Sequence, residues 1–98
     1  MDYQAFLKSI EQRQKPAALH PFIEALWLEA AGDWDSAHSI VQSSDEADAE
    51  WVHAYLHRKE RDLGNASYWY ARCGKQRPDM DLRDEWALIT KTLLKKYA

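Results

Sequence analysis

Apolar residues return at helical spacing along almost the whole chain, and short groups of turn-forming residues interrupt them. Phe6, Leu7 and Ile10 mark a first helix over about Tyr3–Gln14, with Asp2 as its N-cap and Pro16 closing it. Pro21 suits the first turn of a second helix, Pro21–Ala31, whose Phe22, Ile23, Ala25, Leu26, Trp27 and Leu28 predict burial on most sides. Gly32 terminates it and Asp33 caps a third, Trp34 to about Gln42. After Ser43-Ser44-Asp45 a fourth helix is predicted over Glu46–Arg61. Leu63-Gly64-Asn65 reads as a turn, and a fifth helix follows to about Lys75. Pro78 and Asp79 open a sixth, about Met80–Lys96, on the spacing of Trp86, Ile89, Leu93 and Leu94. No segment sustains strand alternation, so the expected class is all-α with about six helices.

Two of these turns echo each other 29 residues apart: Gly32–Ala37 reads GDWDSA and Arg61–Ala66 reads RDLGNA. At that offset Ala25 falls on Ala54, Leu26 on Tyr55, Asp33 on Asp62, Ala37 on Ala66, Ile40 on Trp69 and Val41 on Tyr70. Small residues recur where two antiparallel helices must approach closely, and large ones recur beside them. One such hairpin cannot bury its outer face, so neighbours must stack.

On these residues the chain resembles the tetratricopeptide family. The small residue of one helix facing an alanine of the next matches Ala25 with Ala37 and Ala54 with Ala66. The Gly-Asp-aromatic turn matches Gly32-Asp33-Trp34 well and Arg61-Asp62-Leu63 in part. The proline after the second helix matches Pro78 and has no counterpart in the first unit. The resemblance covers about residues 20–78, with a period shorter than the family's roughly 34 residues. It implies one domain over 1–98: repeat-like units at about 20–48 and 49–78, stacked as antiparallel helical hairpins between capping helices at 2–15 and 79–97. The stretch from Trp51 to Arg72 also resembles a group of small bacterial helical proteins with no assigned activity.

Composition narrows the function classes. A chain of 98 residues, 46% apolar, supports a single core. The lone Cys73 cannot form an internal disulfide, which points to a reducing, cytoplasmic setting. No run approaches the roughly 18 apolar residues of a membrane span, and the first residues lack a signal-peptide pattern. Net charge is −3, split into −7 over residues 1–50 and +4 over 51–98. The two halves can attract each other within one fold or across a homodimer. An anionic partner on the basic half is the sharper alternative.

Two constellations could carry chemistry. Trp51, Tyr55, Arg58 and Lys59 lie along the fourth helix, with Tyr68 beyond. In the tetratricopeptide family such a helix lines a concave face, so the resemblance implies an aromatic floor, edged by cations, that grips a protein or peptide partner. Phe22, Leu26 and Glu29 are the first unit's equivalents; burial of the same rings between hairpins is the plainer reading. On another side of the helix His53 and His57 are spaced i, i+4, as two imidazoles must be to reach one zinc ion. Glu50 or Glu60 could serve as ligand or base. His20, His38, Asp33 and Asp62 could join only if the fold brings them near. The plainer reading is a solvated, ion-paired face, and the HExxH pattern is absent.

Tyr68-Trp69-Tyr70 with Arg72, Lys75 and Arg77 could suggest base stacking, but the chain is acidic and carries no nucleic-acid motif. No phosphate loop, nucleophile elbow or paired-cysteine motif occurs. The favoured expectation is a protein- or peptide-binding module without cofactor or catalytic residues. The alternative is a small metal-binding protein or hydrolase-like enzyme using His53, His57 and a nearby glutamate with a divalent metal such as zinc.

Overall fold

The computed structural model describes residues 1–97. Six helices follow in order: α1 (Tyr3–Glu11), α2 (Pro21–Ala30), α3 (Trp34–Val41), α4 (Ala47–Lys59), α5 (Leu63–Arg72) and α6 (Leu82–Lys96). There is no strand among the described residues. Four helices begin on an aspartate whose carboxylate accepts the amide three residues on: Asp2 from Ala5, Asp33 from Ser36, Asp62 from Asn65 and Asp81 from Asp84. Each such cap satisfies an amide that the helix itself cannot.

These caps explain two boundaries that differ from expectation. Leu63-Gly64-Asn65 is the first turn of α5, because Asp62 caps directly ahead of it. Helix α6 starts at Leu82, capped by Asp81, rather than at Pro78-Asp79. Helix α1 also stops early, at Glu11, where Arg13 turns left-handed with φ 54° before Pro16.

The 29-residue echo is an echo of backbone geometry. Gly32 has φ 97° and its counterpart Arg61 has φ 69°. The amides of Gly32 and Asp33 donate to the carbonyls of Glu29 and Leu28, and those of Arg61 and Asp62 to the carbonyls of Arg58 and His57. Both helices therefore end on the same left-handed closure and re-enter the next helix through the same aspartate. The four alanines of the echo, Ala25, Ala37, Ala54 and Ala66, are wholly buried. Helix α2 packs most extensively on α3, and α4 on α5. The latter pair runs antiparallel: Glu50 near the start of α4 meets Arg72 at the end of α5, and one turn on His53 stacks on Trp69.

Helix α4 is the centre of the molecule. It touches α2, α3, α5 and α6, and every residue from Ala49 to His57 is buried. Helix α6 lies against α1, α2 and α4, with the Trp86 indole donating to the Leu26 carbonyl at 3.2 Å and Phe6 stacked on its ring. The charge split is largely consumed inside this arrangement. Lys59 meets Glu29 at 2.6 Å, Arg72 meets Glu50 at 2.9 Å and Lys96 meets Asp48 at 2.7 Å, each joining the basic half to the acidic one.

The left-handed Arg61 yields a stability prediction. Its side chain is exposed, so the backbone conformation dominates the effect of replacing it. A left-handed residue with a side chain costs roughly 1–2 kcal/mol, and glycine's extra chain entropy offsets part of the relief. Arg61→Gly is therefore expected to raise the unfolding free energy by about 0.5–1 kcal/mol in chemical denaturation; a lowered midpoint would contradict this account of the turn.

Candidate metal centre

The aromatic-basic floor expected on α4 does not assemble as a surface. Trp51 is 8% exposed and Tyr55 2%, and their first-unit counterparts Phe22, Leu26 and Glu29 are buried as well. Helix α6 packs on α2 and α4 from the side where Trp86 meets Leu26 and Glu85 meets Arg58. The two cations are engaged internally. Arg58 donates to the fully buried Glu85 at 2.8 Å and to the Met80 carbonyl, while Lys59 holds the buried Glu29. Of the five expected binding residues Tyr68 and Lys59 are exposed, and of these two only Tyr68, at 55% exposure, is not tied to a buried carboxylate. It lies on α5 beside Trp69, with Arg72 reaching its hydroxyl at 3.3 Å.

Tyr70, named from the sequence only as the last ring of the Tyr68-Trp69-Tyr70 run, completes the Glu85 site by donating its hydroxyl to the second carboxylate oxygen at 2.5 Å. Burial and this carboxylate both push the Tyr70 phenol well above its ordinary range. The three successive rings thus divide as helix geometry requires: Tyr68 exposed, Trp69 half-buried, Tyr70 buried.

On the side of α4 facing α3 the picture reverses. His53 and His57 are not on a solvated face: they are 3% and 6% exposed. His38, half-buried on α3, completes a cluster with them, and one ligating atom from each ring lies within 4.8 Å of the others. The Nε2 atoms of His38 and His53 are 3.1 Å apart. Ring centroids form a near-regular triangle, with separations of 4.7 Å for His38–His53, 4.8 Å for His53–His57 and 5.2 Å for His38–His57.

Each ring is held from behind. His38 lies parallel to Trp34, one helical turn earlier, at 4.8 Å, and the Trp34 indole donates to the Leu56 carbonyl at 2.8 Å, pinning α3 to α4. His53 stacks on Trp69 at 4.1 Å, and the Arg72 guanidinium lies 5.3 Å from that indole. Glu60 sits 3.4 Å from His57 Nδ1, placed to accept a proton there and leave Nε2 with its lone pair free.

The expected glutamates therefore part company. Glu60 stands behind a histidine, whereas Glu50 is buried and bound to Arg72 and does not join the cluster. His20 is elsewhere, stacked on Tyr97, and Asp62 reaches only His57 and Glu60.

Burial disfavours imidazolium here. His53 is pushed down to about 4, first by loss of water and then by the neighbouring His57 and His38. His38 is also lowered, by burial and by His57, against the opposing pull of Glu60 and Asp35. At neutral pH both rings are neutral, so the 3.1 Å contact is an N–H···N hydrogen bond in the metal-free chain. Neutral imidazoles are also the form that binds a metal. Ligating nitrogens about 2.0–2.1 Å from a tetrahedral zinc would stand about 3.4 Å from one another, so the cluster is close to ligating geometry. The His53 Nδ1 has no hydrogen-bond partner and is buried.

Of the conditional candidates His20, His38, Asp33 and Asp62, His38 is the one the fold brings to both histidines, and the sequence carried a signal for it. It shares the inner stripe of α3 with Trp34 and Val41, at the i, i+4, i+7 spacing of a buried face.

No protein-family model, curated protein or solved structure matches this chain. No described helix is long and apolar enough to cross a membrane. A surface cleft of about 680 Å³ around Arg58, Leu63, Pro78 and Met80 shares no residue with the histidines.

Two outcomes are expected. Arg58→Ala should destabilise the fold by about 3–5 kcal/mol in denaturant melts, because it strips a buried carboxylate of its cation. The histidines give a pH dependence whose sign follows from linkage. Between the ordinary histidine value and about 4, His53 takes up a proton when unfolded but not when folded. Stability is therefore full above that window and falls as pH drops through it. Urea midpoints should decline from pH 7 to pH 4.5, and His53→Gln should flatten the decline.

Proposed function

We propose that the protein binds one divalent transition-metal ion through His38, His53 and His57. The observation that carries this reading is the convergence of three imidazoles, from two different helices, within 4.8 Å. A set of nitrogen donors suits a borderline cation such as zinc over calcium or magnesium, which prefer oxygen. Glu60 at His57 Nδ1 supports the reading as the carboxylate partner that orients a ligating histidine and raises its basicity. Trp34 and Trp69 hold His38 and His53 by stacking, so little rotamer freedom remains to be lost on binding. The lone Cys73, at the end of α5, is no part of the donor set and agrees with a reducing, cytoplasmic setting.

Titration calorimetry with zinc, backed by elemental analysis of the dialysed protein, tests it. One equivalent should bind. His38→Ala should weaken binding by about 100-fold or more and Glu60→Gln by roughly tenfold or more, since even residues behind the ligands contribute at that level. Glu50→Gln should leave affinity unchanged. Stoichiometry well below one, or affinity indifferent to His38, would remove the reading.

A second reading keeps a protein partner and moves it off the buried floor of α4. Tyr68 supports it: an exposed ring backed by Trp69 and Arg72, residue types that anchor interfaces. The tetratricopeptide likeness would then describe the chain's architecture and not its binding face. A partner retained by the wild-type protein and lost by Tyr68→Ala at unchanged melting temperature would favour this reading.

A further inference from the structure

We infer that the ion held by His38, His53 and His57 keeps one coordination position open and fills it with a small exogenous monoanion. The inference rests on the metal-binding reading above and adds the ligand class that the same site would take. Three observations carry it.

The first is the donor set. Among the described residues the group within reach of all three histidines contains no fourth ligand. The Glu60 carboxylate is held at the Nδ1 edge of His57 and lies near Asp62 on that side, in a group that excludes His38 and His53. Glu50 is bound by Arg72. A tetrahedral ion with three protein ligands leaves its fourth position to solvent or substrate.

The second is access. His53 and His57 are buried, and Trp69 covers one face of His53, whereas His38 is partly open to solvent. A small ligand has its approach on the His38 side. The indole of Trp34 lies along that ring and covers one of its faces.

The third is charge. Metal-bound imidazoles are neutral, so three of them leave the double charge of the ion intact. Glu60, in contact with His57 Nδ1, offsets part of it, its carboxylate being exposed. Asp35 and Asp62 are exposed and act through water, where their effect is weak. Net positive charge remains beside two buried imidazoles, which favours an anion over a neutral donor. The chemistry that fits is hydroxide from ionised water, or a small anion competing with it.

Cobalt(II) replaces zinc in such sites and reports its coordination by visible absorption. The full chain is titrated with cobalt chloride, then with sodium azide. The expected result is one cobalt bound with strong tetrahedral bands, then a saturable band shift at one azide per cobalt with no change in sedimentation. Bound cobalt whose bands ignore azide, or whose addition converts the protein to a dimer, would overturn the inference while leaving metal binding intact. In those cases a protein group, from this chain or from a second copy, holds the fourth position. Failure to bind cobalt at all would overturn both. His38→Asn adds a further check: it should cut cobalt affinity, and an azide response that survives at wild-type strength would place the anion elsewhere and count against the inference.

Discussion

Helix α4 is surrounded, and the rest of the structure depends on how that is tolerated. Nine consecutive residues, Ala49 to His57, are buried, so all sides of the helix face protein. Yet the stretch includes Glu50, His53, Tyr55 and His57. A helix buried all round is normally apolar all round. Here each buried polar side must instead meet a partner, because an unpaired buried charge costs several kcal/mol. Neighbouring helices supply those partners. Arg72 comes from α5 to Glu50, and α4 returns the service with Arg58 to Glu85 of α6 and Lys59 to Glu29 of α2. These contacts set which helices can lie beside α4 and at what height.

The histidines are the part of this pattern that no charge resolves. Two buried imidazoles on α4 and a third on α3 share one small space, and their polar atoms face one another more than any opposite charge. Burial keeps His53 and His38 neutral, and stacking on Trp69 and Trp34 keeps those two rings in place. The same features that make the cluster a tolerable core element at neutral pH make it a ready set of metal ligands. A structural role and a ligating role therefore do not compete for the geometry. They differ in what occupies the centre.

The cluster also sits where the repeat pattern is least informative. His38 belongs to the first repeat-like unit and His53 and His57 to the second, so the site lies on the seam between them. At the 29-residue offset His38 aligns with Ser67, and His53 and His57 with Glu24 and Leu28. Nothing in either unit alone suggests a centre. The turns show the opposite behaviour. They are set by local backbone chemistry, and so Gly32-Asp33 and Arg61-Asp62 keep the same closure even though one of them uses an arginine in a conformation better suited to glycine.

What the sequence determined by itself was local. Periodicity, aspartate caps, Pro21 and Gly32 located six helices, and the echo located four buried alanines, because these depend on residues within a turn or two. The start of α6 shifted because Asp81, two residues beyond the expected Asp79, is the one that caps it. The i, i+4 pair His53–His57 was legible for the same local reason. Its third member was not, since His38 joins only when α3 and α4 pack, 15 residues apart in the chain. Nor could periodicity decide whether Trp51 and Tyr55 formed a floor or a core. That turned on where α6 lies, and its place was fixed by contacts remote in sequence: Trp86 to Leu26, Glu85 to Arg58 and Tyr70. A helix pattern says which side of a segment avoids water. Only the packed structure says which neighbour excludes it, and therefore which polar groups are brought together out of solvent.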